Sequence, residues 1–300
     1  MTVKTIAVFG LGSMGFCMAR SLLRAGHTVH GFYVVPDQEA RFRDEGGASG
    51  ELAAIAPKLD AVVVVVLNAA QTEEVLFGAA GVVPMLRSGA VVLSCATVAP
   101  DFARRMAEAC AARQVHYLDS PISGGSVKAA QGRLSIMASG SKATFDAAQP
   151  VLDATAETVF TMGEEAGAGS VMKSVNQLLA GVHIAAMAEA ITFGMKQGLA
   201  PDRFLEVISR CAGTSWMLEN RAPHIVDGDY TPHSAVNIWL KDLGIVLDIA
   251  DANGCEAPIT ATALGQYSKA AEMGLGREDD AAVAKVYAGA AGISLPDRSG

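Results

Sequence analysis

Short runs of β-branched and apolar residues recur through the first half of the chain, separated by stretches with helical spacing. "TIAVFG" (5–10), "TVHGFYV" (28–34), "AVVVVVL" (61–67), "AVVLSC" (90–95) and "VHYLD" (115–119) read as strands. Several are apolar on both faces, the pattern of parallel strands covered by helices on each side. "MARSLLRAG", "EEVLFG" and "DFARRMAEACAARQ" supply crossover helices between them. Right-handed βαβ connections then give a doubly wound sheet. Two more runs, "RLSIMASG" (133–140) and "AETVFTMG" (156–163), extend it at one edge.

After Gly163 the period changes. Ala, Met, Leu and Glu dominate, and helices are predicted over 168–197, 201–211, 215–226, 234–252, 258–273 and 278–289. An α/β domain over residues 1–163 is therefore expected to precede an all-α domain over 164–300, the two joined by the long helix at 168–197. Two domains also suit a chain of 300 residues, because one core rarely grows past roughly 250–300 residues.

Composition narrows the function classes. At 51% hydrophobic and 18% charged residues the chain can bury a large core and is not disordered. A net charge of −8 without a basic block argues against a nucleic-acid partner. The longest uninterrupted apolar run, 61–67, is too short to cross a bilayer, so no membrane partner is expected. The cysteines at 17, 95, 110, 211 and 255 are odd in number and form no C-x-x-C pair, which suits reduced thiols in a cytoplasmic protein. "MTVKTIAVFG" runs straight into a strand and does not read as a signal peptide.

The strand at 5–10 ends in "GLGSMG", with Gly10, Gly12 and Gly15 spaced as G-x-G-x-x-G and a helix opening immediately after. That context marks a dinucleotide-binding turn: Gly10 for the tight turn, Gly12 for close approach of a pyrophosphate, Gly15 for helix–strand packing. The sheet is then a Rossmann sheet, and Leu11, Ser13 and Met14 join the glycines as cofactor-loop residues. An acid at the end of the second strand would hold the adenosine ribose of NAD. That position is Tyr33; Asp37 comes late, and Arg41 and Arg43 could reach a 2′-phosphate or belong to the surface of the next helix. The choice between NAD and NADP stays open.

"LDSPISGGSVK" places Ser123, Gly124 and Gly125 just after the strand 115–119, at the carboxyl edge of the sheet. A hydroxyl and successive backbone N–H groups suit a carboxylate, although an ordinary glycine turn would look the same. In "GAGSVMKSVNQLL", Lys173 and Gln177 lie one helical turn apart with Asn176 between them, all on one face. Such a face lining a cleft would offer an ammonium and two amides, and an amine partly withdrawn from water can exchange a proton with a hydroxyl or carbonyl. A solvated lysine at a helix end is the alternative.

Together "GLGSMG", "DSPISGG", "GAGSVMKSVNQ" and "IWLKDLGIVLDIA", in that order, resemble the signatures of the β-hydroxyacid dehydrogenases, a family that includes 3-hydroxyisobutyrate dehydrogenase and tartronate semialdehyde reductase; the resemblance spans about residues 3–290. "NQLLAGVHIAAMAEA" and "TSWMLENRAPHIVDGDYTPHSAV" resemble the family's L-threonate branch. The resemblance implies an NAD(P)-dependent oxidoreductase, best matched to L-threonate oxidised to its 2-keto acid, with tartronate semialdehyde or 3-hydroxyisobutyrate chemistry as the alternative. A dinucleotide-binding regulatory protein is the non-enzymatic one. It implies Lys173 as acid/base, Ser123, Gly124, Gly125, Asn176 and Gln177 as substrate contacts, and Asn68, Thr97 and Lys241 as cofactor contacts alongside the glycine loop and Tyr33. It also implies NAD as cofactor, with NADP open, and a homodimer or homotetramer formed through the helical domain. Two positions depart from the family pattern: Gln177 stands where a second Asn is usual, and Tyr33 where NAD-using relatives often carry Asp.

Other polar residues are read chiefly as structural. His183 suits a core or interface histidine or a residue bordering the cleft, Trp216 and Met217 the core or a cap over the site, and Asn220, Arg221 and His224 a solvated helix face or a set that meets polyol hydroxyls. No residues show metal-ligand spacing, so no metal is expected.

Overall fold

The computed structural model describes residues 3–298. In the first half, β1 (Thr5–Phe9), α1 (Ser13–Arg24), β2 (Thr28–Phe32), α2 (Pro36–Asp44), α3 (Leu52–Ile55), β3 (Ala61–Val64), α4 (Ala69–Phe77), β4 (Val91–Ser94), α5 (Pro100–Ala111) and β5 (His116–Asp119) alternate as expected. The five strands pair in parallel in the order β2-β1-β3-β4-β5. Period-two alternation divides them between two cores. Ile6, Val8, Val63 and Leu93 pack with Leu22 and Phe42, while Ala7, Phe9, Val62 and Val64 pack with Phe102 and Met106. Both faces are buried, which is why these strands read as continuous apolar runs.

The sheet continues through β6 (Ile122–Ser123), α6 (Gly125–Gln131), β7 (Leu134–Ser139), α7 (Lys142–Thr155) and β8 (Ala156–Gly163). Here the direction reverses: β7 runs antiparallel to β5 and β6, and β8 parallel to β7. The expected extension is thus present, in the form of an antiparallel edge. Helix α7 was not expected from the sequence. Its buried stripe is Ala148, Val151, Leu152 and Thr155, largely small or interrupted by Pro150, and its start is capped by Ser141.

The second half is helical: α8 (Ala168–Lys196), α9 (Pro201–Ile208), α10 (Trp216–Val226), α11 (Val236–Ala252), α12 (Pro258–Ala270) and α13 (Ala284–Ala291). The composition changes at Gly163, and the chain separates into compact units at Met1–Lys173 and Ser174–Gly300, inside α8. By length and composition α8 could cross a membrane, with a mean hydropathy of 1.6 over an 18-residue window. Its Ile184, Met187, Ala188 and Ile191, however, are buried with Trp239, Leu243 and Tyr267 in the helical core.

Two corrections arise in this unit. Arg221 and His224 are not on a solvated face. Arg221 Nε donates to Asp280 Oδ1 at 2.5 Å, Trp239 Nε1 donates to Asp280 Oδ2 at 2.9 Å, and His224 Nδ1 lies 3.3 Å from Asp279 Oδ1. Asp279 and Asp280 are fully buried, and Asp279 also accepts from the N–H groups of His233 and Ala281. Burial pushes the Asp280 carboxyl up to about 6 against the pull of Arg221. The second correction is Trp216, which is 58% exposed and so not a core residue; Met217 is partly buried against the helical core.

Candidate active site

The glycine loop lies between β1 and α1. Gly10 has φ +96°, and a Cβ there would stand 2.2 Å from the Val65 carbonyl oxygen; a Cβ on Gly15 would stand 1.8 Å from the Gly10 oxygen. Both positions require glycine, one for its conformation and one for packing. Gly12 differs: the nearest atom to an added Cβ is Tyr33 Oη at 3.6 Å. Gly12 is the N-cap of α1, no side chain caps that helix, and its first turn holds no acid. The leading N–H groups of α1, from Ser13 and Met14 onward, thus have no capping side chain and no acid in their own turn, which is the arrangement a pyrophosphate needs. The residues present fit a dinucleotide.

Tyr33 follows β2 and is half-buried, and its N–H donates to Glu39 Oε1 at 2.6 Å. Asn68 caps α4 by accepting from Gln71 N at 2.9 Å, and Thr97 lies in the loop between β4 and α5. The loops after β1, β3 and β4, at the carboxyl edge of the sheet, therefore carry the glycine loop, Asn68 and Thr97.

Ser123 ends β6, and Gly124 and Gly125 follow with φ of +130° and +72°. Residues with side chains rarely adopt such values, so the turn depends on its glycines. Lys173 is 8% exposed and donates from Nζ to the Ile122 carbonyl oxygen at 2.9 Å. The ammonium is therefore anchored on the residue that immediately precedes Ser123, which excludes the solvated-lysine alternative.

The start of α8, the helix that carries Lys173, is fastened by Asp119, at the end of β5. Its Oδ2 accepts from Gly167 N at 2.9 Å and Ser170 N at 2.8 Å, and its Oδ1 from Ser170 Oγ at 2.7 Å; Ser139 Oγ also donates to it. A carboxylate on the leading amides of α8 is favoured by the helix dipole. Burial pushes the Asp119 carboxyl up, and the bonds from Ser170, Gly167 and Ser139 pull it back. Sequence reasoning read Asp119 only as the end of a strand.

On the Ser174–Gly300 side, Gln177 is buried and donates from Nε2 to Asp242 Oδ2 at 2.5 Å, while Asn176 Nδ2 donates to Gln177 Oε1 at 2.9 Å. An ionised Asp can only accept, so Gln177 must turn its NH₂ to Asp242 and its carbonyl to Asn176. Both ends of the Gln177 amide are thus engaged. Asp242 is 2% exposed and also meets Lys241 Nζ at 2.5 Å. Asp242 was missed from sequence; its only signal was its place after Lys241 in "LKDL". Among the described residues, no three His, Cys, Asp or Glu side chains are grouped to hold a metal ion.

Known proteins bear on this arrangement. The family described as the NAD binding domain of 6-phosphogluconate dehydrogenase matches residues 5–163, and that described as the NAD-binding region of NADP-dependent 3-hydroxyisobutyrate dehydrogenase matches residues 167–287. The chain is 46% identical to an L-threonate dehydrogenase of Cupriavidus necator over 297 residues, covering 99% of each chain. It is 46% identical to an L-threonate dehydrogenase of Escherichia coli over 293 residues, 97% of this chain and 96% of the other. A crystal structure of 3-hydroxyisobutyrate dehydrogenase from Salmonella typhimurium, 45% identical, superposes with a TM-score of 0.89, covering 94% of this chain and 99% of that one.

Proposed function

The chain belongs to the β-hydroxyacid dehydrogenase family of NAD(P)-dependent oxidoreductases, and on that premise we propose that it oxidises L-threonate to the corresponding 2-keto acid. The observation that carries the mechanism is the bond from Lys173 Nζ to the Ile122 carbonyl, which sets the amine beside the Ser123–Gly125 turn. The names of the whole-chain relatives support the substrate.

In this reading the substrate carboxylate docks on the Ser123 hydroxyl and the N–H groups of Gly124 and Gly125. Lys173, as the neutral amine, takes the proton from the substrate hydroxyl at Nζ. In the reverse direction its ammonium returns that proton to the carbonyl oxygen. Asn176 and Gln177, one turn along α8, orient the remaining oxygens, and Asp242 fixes which way their amides face. The α1 N-terminus, Asn68, Thr97, Tyr33 and Lys241 hold the dinucleotide. When bound, its nicotinamide supplies the hydride acceptor, while the protein supplies position and charge. The carbon loses its hydride and the oxygen its proton, so a carbinol becomes a carbonyl. The reading also takes the protein as a soluble cytoplasmic enzyme that forms a homodimer or homotetramer through its helical unit. The exposed stripe Met172, Val175 and Leu179 along α8 supports that assembly.

The test is steady-state turnover of a hydroxy-acid panel, with L-threonate, glycerate, 3-hydroxyisobutyrate and L-serine offered with NAD and with NADP. L-Threonate is expected to give the highest kcat/KM. A preference for 3-hydroxyisobutyrate or glycerate would overturn the substrate assignment. Turnover of none, with dinucleotide binding intact, would overturn the proposed chemistry.

A further inference from the structure

Tyr33 leaves the usual ribose-binding position without an acid, yet a carboxylate lies there. Glu39, in the first turn of α2, reaches back to the end of β2 and accepts the Tyr33 N–H on Oε1 at 2.6 Å. Its other oxygen lies 3.6 Å from Arg43 Nη1, one turn along the same helix. The Glu39 side chain is 26% exposed, so its charge is partly shielded from solvent. Tyr33 Oη meanwhile lies beside Gly12, which brings this end of β2 against the dinucleotide loop.

The two arginines of α2 each face a carboxylate. Arg43 faces Glu39, whereas Arg41 pairs with Glu45 at 3.5 Å and lies over the Phe16 ring at 4.7 Å. Glu45 also pairs with Arg20. The carboxylate at the end of β2 is therefore paired with a cation of its own helix.

We propose that Glu39 is the residue that makes this chain select NAD over NADP. It takes the place of the strand-end acid by reaching back from the following helix. A ribose hydroxyl can donate to its carboxylate, whereas a 2′-phosphate carries about −1.5 to −2 charges at neutral pH and meets like charge there. The inference rests on the dinucleotide reading of the site.

The test is equilibrium fluorescence titration of the full chain with NADH and with NADPH, with no hydroxy acid present. Wild type is expected to bind NADH at least about tenfold more tightly, and the gap should narrow as salt is raised, because screening weakens charge repulsion. Glu39→Gln keeps the size and the acceptor for Tyr33 N while removing the charge. It is expected to tighten NADPH binding about tenfold and to weaken NADH binding, because the one remaining oxygen is held by Tyr33 N and the ribose hydroxyl loses its charged acceptor. Glu39→Gln/Arg43→Ala should lose most of that gain, because Arg43, released from Glu39, is the group that receives the phosphate. The ratio of the two dissociation constants does not depend on how much protein is folded. An NADH:NADPH ratio that Glu39→Gln leaves unchanged, or a wild type that binds both equally, overturns the role of Glu39. Binding of neither dinucleotide would instead overturn the reading on which it rests.

Discussion

Asp119 and Asp280 are both buried carboxylates, one in each unit, and burial pushes both upward. They are held in different ways. Asp119 rests on main-chain N–H groups of Gly167 and Ser170 with two hydroxyls in support. Asp280 rests on side chains, Arg221 and Trp239, drawn from two other helices. The contrast recurs in other pairs, with Asp279 as the exception, since it rests on the main-chain N–H groups of His233 and Ala281. In the α/β unit, Lys173 leans on the Ile122 carbonyl and Glu39 on the Tyr33 amide. In the helical unit, Gln177 leans on Asp242 and Asn176 on Gln177. A group held by main chain keeps its partner through most substitutions nearby. A group held by another side chain loses it whenever either partner changes.

The strongest way to break the helical side of this comparison is Arg221→Met, which leaves the Asp280 charge unpaired in the core. Removing one partner of a buried pair costs about 3–5 kcal/mol, and denaturant unfolding at neutral pH should register that loss. A change within about 0.5 kcal/mol would show that the pair is not what holds the carboxylate. Lys173→Ala tests the α/β side by activity. Turnover should fall at least about a hundredfold, the usual scale for a positioned acid/base, with dinucleotide affinity little altered. Near-normal turnover in that variant would remove Lys173 from the mechanism.

Asp242→Ala should have a smaller effect, about 1–3 kcal/mol of stability for a buried amide left without its acceptor. It should also raise KM for the hydroxy acid as the Asn176 and Gln177 amides lose their fixed sense, and an unchanged KM would contradict that positioning role. Ser170→Ala sharpens the contrast. Asp119 keeps both main-chain donors, so the loss should be only about 0.5–1.5 kcal/mol, the worth of one ordinary hydrogen bond. A loss as large as that of Arg221→Met would erase the distinction between the units.

The smallest effect is a slope. Asp280 titrates near about 6 in the fold against 3.8 ordinarily, so folding takes up a proton between those values. Its contribution to stability therefore falls as pH rises from about 4 to about 6 and is level above that. The stability difference between wild type and Asp280→Asn, followed by denaturation across that range, should shrink as pH rises. A difference that grows with pH would reverse the assignment.

The same contrast explains what could be read from the chain. The glycine loop, the five parallel strands and the Ser123–Gly125 turn were legible because main-chain geometry dictates them: Gly10 needs its positive φ and Gly15 its missing Cβ. The spacing of Lys173 from Gln177 drew notice but left a solvated helix end open, and only its burial against the Ile122 carbonyl decides between them. Asp242 was not, because its partner Gln177 lies 65 residues away and only packing brings them together. Arg221 and His224 were misread because helical spacing alone cannot distinguish a solvated polar face from one buried against Asp279 and Asp280. Glu39 escaped notice for a different reason. The usual acid is the last residue of the strand, and here the carboxylate comes from the helix that follows.

The fastening of α8 to Asp119 has a consequence for how such a protein can diverge. Ser170 fixes the rotational phase of the helix, and Lys173 follows three residues later. Each residue inserted between them would swing the amine about 100° around the axis and carry it about 1.5 Å further along. Its ammonium would then leave the Ile122 carbonyl altogether. A longer amide at position 177 alters reach without disturbing that phase, so this helix can drift in letters but not in count.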